Sequence, residues 1–332
     1  MQYFQAKGER IECRLCAHLC ALKDHQSGIC GVNRREGDVI ENLVFGHPAA
    51  LHVDPVEKKP LYHFLPGSHV LSLGTVGCNF HCAFCQNWAI SQEHDIDRSH
   101  DVSPQEIVLK ALQEQSGAIA YTYNEPTIFY PYAKAIAELA KEHGIKNIFV
   151  TNGYQSVDVA EDMVGVIDAA NVDLKSFNPR YYKKALGGRL ETVLENLKRF
   201  KRSGIWIEVT TLIVPQRNDG DDELKSIAAF IANELGCDTP WHISAFHPDY
   251  KERELPPTPL STLEKAYEIG KQAGLHYVYL GNVAHTNTTF CSECHAPLIE
   301  RHYMGVSAYR LEKGRCPQCG KILEGVFHEP TS

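Results

Sequence analysis

Between residues 67 and 284, short apolar runs closed by polar residues or glycine alternate with amphipathic stretches, and this alternation is the strongest constraint on the fold. The runs fall at 70–73, 118–123, 145–151, 172–175, 205–214, 241–246 and 275–280. Between them, Ile128, Tyr132, Ile136 and Leu139 recur at helical spacing up to the stop at His143-Gly144. Further helices are expected through Val193, Leu197 and Phe200 to Gly204, over 224–235 and over 260–273. Seven strands, most of them followed by a helix, predict an α/β fold with a parallel sheet and right-handed crossovers. A parallel (β/α) partial barrel of the TIM type fits this count better than an open doubly wound sheet. Residues 1–66 and 285–332 are then small cysteine-rich modules at either end of a barrel over 67–284.

In such a barrel the C-terminal strand ends form the active-site rim. The polar residues expected there are Cys78, Asn124 and Glu125, Asn152, Asp173 and Lys175, Glu208 and Thr210, and His247.

Eleven of the 12 cysteines fall into three close-spaced groups. The N-terminal stretch MQYFQAKGERIEC has no apolar core of a signal peptide, so a reducing cytoplasm is the expected location. There such groups read as metal sites rather than disulfides. Cys291-x2-Cys294 and Cys316-x2-Cys319 are paired knuckles of the zinc-ribbon kind, although the Cys-Pro-x-Cys-Gly form also suits rubredoxin-type iron. Cys13, Cys16, Cys20 and Cys30 can close a four-thiolate site, with zinc the first reading and an auxiliary iron–sulfur cluster the second. Cys237 stands apart and reads as an inert thiol.

The central group is different. Cys78-x3-Cys82-x2-Cys85 offers three thiolates on one short loop after the first barrel strand. A [4Fe–4S] cube usually takes four thiolates, so three leave one iron open to an exogenous ligand.

This spacing, with Phe80 and Phe84 between the cysteines, resembles the radical S-adenosylmethionine (SAM) superfamily. The resemblance implies a [4Fe–4S] cluster on Cys78, Cys82 and Cys85, with SAM chelated to the open iron and cleaved to a 5′-deoxyadenosyl radical. The stretch Tyr123-Asn124-Glu125-Pro126 is similar to the family's SAM-amino motif, keeping the glutamate but not the two glycines. Glu125 therefore reads as a contact for an ammonium, or more simply as an acid at a helix start. Asp173-Leu174-Lys175, with Thr151-Asn152-Gly153 before it and a strand ending in Val214-Pro215 after it, resembles pyruvate formate-lyase activating enzymes. There the Asp and Lys lie beside SAM; the plain alternative is an ion pair closing the rim. His247 matches a histidine that those activases place near the adenosyl group.

The run from Asp54 through Lys58, Lys59 and His63 to Phe64, with Cys85-Gln86-Asn87-Trp88, resembles the AmmeMemoRadiSam-system radical SAM enzymes. Lys58, Lys59 and His63 are catalytic or substrate-site candidates; otherwise they are a solvated basic pair and a packed histidine. The substrate is left open as a small molecule, a peptide or a partner protein such as a glycyl-radical enzyme. An electron donor of the flavodoxin or ferredoxin kind is implied. A formal net charge of -8 argues against nucleic acid and anionic membrane as partners. The competing class is a multi-zinc scaffold without catalysis.

Overall fold

In the computed structural model, which describes residues 3–327, the N-terminal region folds as small antiparallel pieces. Strands β1 (Phe4–Lys7), β2 (Arg10–Cys13) and β3 (Ala21–Leu22) make one sheet, and β4 (Asn33–Glu36) and β5 (Val39–Asn42) a hairpin. Strand β6 (Ala50–Pro55) pairs antiparallel with β7 (His69–Gly74). Then β8 (Ala118–Tyr121), β9 (Lys146–Thr151), β10 (Ala169–Asp173), β11 (Trp206–Ile213), β12 (Trp241–Ala245) and β13 (Val278–Gly281) add in parallel, in chain order. Strands β6 and β13 lie at opposite ends of this sheet and do not pair, so the barrel is partial. The C-terminal region forms a third sheet from β14 (Thr286–Phe290), β15 (Pro297–His302) and β16 (Gly305–Tyr309).

The seven expected strands are all present, and the barrel sheet has one more. The sequence boundary at residue 67 leaves β6 outside the barrel, yet β6 completes the sheet. Its residues Ala-Leu-His-Val-Asp-Pro include His52 and Asp54, as an edge strand tolerates, so no apolar run marks it. The run at 172–175 shifts to end at Asp173, leaving Lys175 beyond the strand.

The helices are α1 (Trp88–Ser91), α2 (Pro104–Gln113), α3 (Tyr130–Glu142), α4 (Val157–Asp162), α5 (Pro179–Tyr181), α6 (Leu190–Ser203), α7 (Asp221–Phe230) and α8 (Leu260–Gln272). Helix α2 opens on a capping box, in which the Ser103 hydroxyl accepts from the Glu106 N–H and the Glu106 carboxylate from the Ser103 N–H. Helix α6 buries Leu190, Val193, Leu197 and Phe200 and stops at Gly204, whose φ of 82° suits glycine. No helix among the described residues is long and apolar enough to cross a membrane.

Alternation along the strands builds the barrel interior in two levels. At the lower level Asn171, Glu208, His242 and Tyr279 grip the segment that precedes β7. The Asn171 amide donates to the Pro60 carbonyl at 2.8 Å, and the Glu208 carboxylate accepts from the Tyr62 and His63 N–H groups at 2.9 and 2.8 Å. Two residues further along β10, β11 and β12, Asp173, Thr210 and Ser244 form the upper level. Segment 60–65 is therefore a plug for the barrel floor. Val56, Leu61, Phe64 and Leu65 bury their side chains there against Val70, Ala118, Ala120, Ile148 and Ala169.

The C-terminal sheet closes the plug from below. Arg301 of β15 is fully buried, donates to the Tyr62 carbonyl and the Thr289 hydroxyl, and lies over the Tyr62 ring. Val326 pairs with the plug through Leu65 N–H to Val326 C=O at 2.7 Å and Val326 N–H to His63 C=O at 2.8 Å. Gly325 makes that pairing possible: a Cβ there would sit 2.4 Å from the His63 carbonyl oxygen.

The floor contains a pH-sensitive group. His63 is fully buried, with Nδ1 bonded to the Glu324 carbonyl and Nε2 to the Tyr279 hydroxyl. Burial pushes its pKa down to about 4, against the pull of Glu208 and with Arg301 and His242 adding to the depression. The unfolded chain titrates near pH 6.5, so it takes up this proton first as pH falls. Stability is fully present above about pH 6.5 and declines toward pH 4, by about 3 kcal/mol from this residue. Denaturant midpoints measured across that window should fall with pH, and a His63→Gln variant, though less stable, should give a flatter curve.

Candidate active site

The loop after β7 delivers the three central cysteines to the top of the barrel. Gly77 has φ of 86°, and a Cβ there would lie 2.6 Å from the Cys30 carbonyl oxygen, so only glycine lets the loop pass the N-terminal region. Asn124, in the turn after β8, pins the loop from the other side: its amide donates to the Gly77 carbonyl at 2.8 Å and to the Thr75 hydroxyl at 3.1 Å. The Asn152 amide, after β9, donates to the Asn79 side-chain oxygen at 2.7 Å. Cys78, Cys82 and Cys85 then face one cavity of about 260 Å³, together with Asn124, Asn152, Asp173, Lys175 and Thr210. The expected rim residues are thus largely brought together.

Asp173 and Lys175 form an ion pair at 2.7 Å on the cavity wall. Burial works against the Lys175 ammonium, but Asp173 outweighs it and holds the pKa well above the usual lysine range. A fixed positive charge therefore faces the cysteine loop. Burial pushes the free Cys82 thiol up to about 12, with Lys175 opposing.

Other expectations are corrected. Glu125 is fully buried and does not line the cavity. Its Oε1 accepts from Thr127 N–H and the Thr127 and Thr151 hydroxyls, and its Oε2 from Asn152 N–H at 2.7 Å. The carboxylate starts the turn at Pro126 and anchors Asn152, which favours the helix-start reading. Glu125→Gln should place an amide N–H against these donors and lower stability by about 1–3 kcal/mol. Chemical denaturation beside SAM titration checks this. Weakened binding at unchanged stability would restore direct contact.

Glu208 lies at the floor, not the rim, because it is the third of eight residues in β11. Its carboxylate also bonds His242 Nε2 at 2.6 Å. Burial would raise the Glu208 pKa, but His242 and the backbone donors hold it below the usual value. His63 packs in the floor, away from the cavity, as the packed-histidine alternative has it. Lys59 is buried and donates to Asp54 at 2.7 Å, below the Tyr123 ring. Lys58 shares Asp54, which is held strongly acidic despite burial by Lys58, Lys59 and Tyr123. His247 is exposed, bonds the Asn282 carbonyl at 3.2 Å and stands outside the cavity lining.

Sequence reasoning missed Ser244 and Asn282, which line the cavity from β12 and from the turn after β13. Period two along β12 from His242 was the available signal for Ser244. Both residues, with Pro60, also line a second cavity of about 320 Å³ that includes Lys58, His285 and Tyr303.

The sulfur geometry distinguishes the three cysteine groups. In the C-terminal set, Cys291 and Cys319 sulfurs are 3.5 Å apart, Cys294 and Cys316 sulfurs 3.6 Å, and all four lie within 4.8 Å of one another. Tetrahedral zinc at a Zn–S distance of about 2.3 Å sets neighbouring sulfurs about 3.8 Å apart, which matches. Among the described residues, neither the central three nor the N-terminal four bring three sulfurs within 4.8 Å of one another. A cubane needs that wider set, because each thiolate occupies its own iron corner. The central donor set fits a three-thiolate cluster further: the buried Thr210 hydroxyl on the cavity wall and the buried Asn79 amide nitrogen behind the loop have no hydrogen-bond partner.

The family model described as the Radical SAM superfamily matches residues 72–231 of this chain. An uncharacterized protein of Methanocaldococcus jannaschii is 40% identical over 98% of this chain and 99% of its own length. The pyruvate formate-lyase-activating enzyme of Streptococcus mutans is 25% identical over 55% of this chain and 78% of its own. Among solved structures, a radical SAM methyltransferase from Sphaerobacter thermophilus aligns with a TM-score of 0.52 at 12% identity, covering 65% of this chain and 67% of that one.

Proposed function

The chain belongs to the radical SAM superfamily, and from that premise we propose that Cys78, Cys82 and Cys85 hold a [4Fe–4S] cluster at which SAM is reductively cleaved. The observation that carries this reading is three widely set thiols sharing one rim cavity with an ion-paired lysine and an unpartnered threonine hydroxyl. In this family the bound group supplies an electron and an open iron, and SAM yields methionine and a 5′-deoxyadenosyl radical for hydrogen abstraction.

The chain's own residues supply position and exclusion of water. Lys175 offers a fixed cation to the SAM carboxylate, and Asp173 an acceptor for ribose hydroxyls. Thr210 gives the cavity wall a free hydroxyl. Asn124 and Asn152 hold the cysteine loop in register. His247 bonds the Asn282 carbonyl and takes no assigned part. The second cavity, which shares Pro60, Ser244 and Asn282 with the first, is the place for the substrate in this reading.

The C-terminal set is a structural zinc site, supported by its short sulfur separations. A glycyl-radical-enzyme activase is the finer alternative, favoured by Asp173-Leu174-Lys175 and by the activating-enzyme relative. The reductant would be a flavodoxin- or ferredoxin-class donor, and the cytoplasm suits such chemistry.

The test is anaerobic purification with iron, zinc and sulfide counts, followed by dithionite and SAM. At least about four irons with 5′-deoxyadenosine formed supports the reading. Stoichiometric zinc, no sulfide and intact SAM after reconstitution would leave a multi-zinc scaffold.

A further inference from the structure

We propose that Cys13, Cys16, Cys20 and Cys30 hold a second iron–sulfur cluster of the [4Fe–4S] type, and not zinc. Four protein thiolates complete such a cluster, so it has no open iron and binds no substrate.

The Cys13 N–H donates to the Cys20 carbonyl at 2.9 Å, which ties two of the ligands across the start of the loop. Gly28 stands 3.6 Å from the Cys20 sulfur at its Cβ position, leaving room on that side. The Asn33 amide donates to the Cys30 sulfur at 3.4 Å and to the Ile128 carbonyl at 2.8 Å. Amide donors to sulfur are one means by which a protein sets the potential of a thiolate-bound cluster. Cys13, Cys16 and Cys30 are buried in an apolar jacket that includes Leu15, Leu22 and Val32.

Yet the sulfurs stand apart. The ribbon quartet of the same chain draws together to zinc distances, and this quartet does not. Among the described residues the N-terminal set, like Cys78, Cys82 and Cys85, brings no three sulfurs within 4.8 Å of one another. The spread is not a symptom of loose packing, since three of the four cysteines are buried.

Location supports a redox role. The Cys30 carbonyl packs on Gly77, next to Cys78, and His18 Nε2 bonds the Asn79 carbonyl at 2.9 Å. The N-terminal site thus backs onto the loop that carries the catalytic cysteines. Cys20 is the least buried of the four. The cluster takes one electron from a donor of the ferredoxin or flavodoxin class, which loses one, and no bond is made or broken.

The inference is independent of SAM cleavage and is tested apart from it. A Cys78→Ala/Cys82→Ala/Cys85→Ala variant, purified anaerobically, should keep about four irons and four sulfides with a dithionite-induced paramagnetic signal. Adding Cys16→Ser and Cys30→Ser should remove them. In the otherwise intact chain, Cys20→Ser should lower iron from about eight toward four per chain. A triple variant without iron, whether holding two zincs or one, overturns the proposal. Should that variant fail to fold, a wild-type count of about four irons overturns it equally. Wild type that cleaves SAM with only about four irons sinks this inference and leaves the proposed function standing. Iron retained in the triple variant, with no cleavage by wild type, does the reverse.

Discussion

Cys82→Ala should abolish SAM cleavage and lower bound iron by about four per chain. Cys82 is the middle cysteine of the loop, buried and lining the cavity that the Asp173–Lys175 pair also lines. Two remaining thiolates on the loop cannot fix three corners of a cube, so the effect is loss of the group rather than a slower reaction. The fold should survive, because the loop is also held by Asn124, Asn152 and the Gly77 passage, none of which involves the sulfur. Circular dichroism unchanged, iron reduced and no 5′-deoxyadenosine is the expected set. Normal cleavage by this variant would sink the cluster assignment. Iron that stays on the variant belongs to the N-terminal set.

Arg301→Leu should destabilise the protein by about 3–5 kcal/mol, because it removes one member of a buried charge pair. Arg301 Nε lies 3.6 Å from the Glu57 carboxylate, and both residues are fully shielded. Burial raises the Glu57 pKa, and Arg301 is the main influence opposing it. Leucine would leave Glu57 without its counter-charge and the Tyr62 carbonyl without its donor. The double variant with Glu57→Gln should recover part of the loss, since no uncompensated charge then remains. Urea denaturation of the two variants is the measurement. A loss under about 1 kcal/mol would mean that the pair is solvated and the C-terminal sheet is held by other contacts.

The barrel was legible because its parallel strands, covered on both faces, read as apolar runs closed by polar residues. Strand β6 escaped, being an antiparallel edge strand with His52 and Asp54 in it. The rim was legible where a residue follows a strand, as with Cys78, Asn124 and Asn152. It failed for Glu208, because a long strand has inward positions at both floor and rim, and composition does not tell the ends apart. Glu125 shows a different limit. Its identity announces a charge, but four internal donors use that charge before any ligand can. The candidate roles of Lys59 and His63 failed for a related reason: the segment bearing them turns inward to seal the barrel. No local pattern reveals that, because the partners come from β6, β13 and residues 324–326.

The floor seal also bears on how freely this architecture can be recombined. Residues 285–327 look detachable on a diagram of the chain, with their own cysteines and their own sheet. Yet Arg301 and Val326 clasp the backbone that stoppers the barrel, Glu208 accepts two of its N–H groups, and His242 and Tyr279 bond Glu208 and the His63 ring in turn. A chain cut at 284 would keep Cys78, Cys82 and Cys85 and lose the clasp, leaving a hydrophilic shaft beneath the site. Shuffling such ends between relatives would require exchanging the stopper and its sockets as one inherited unit.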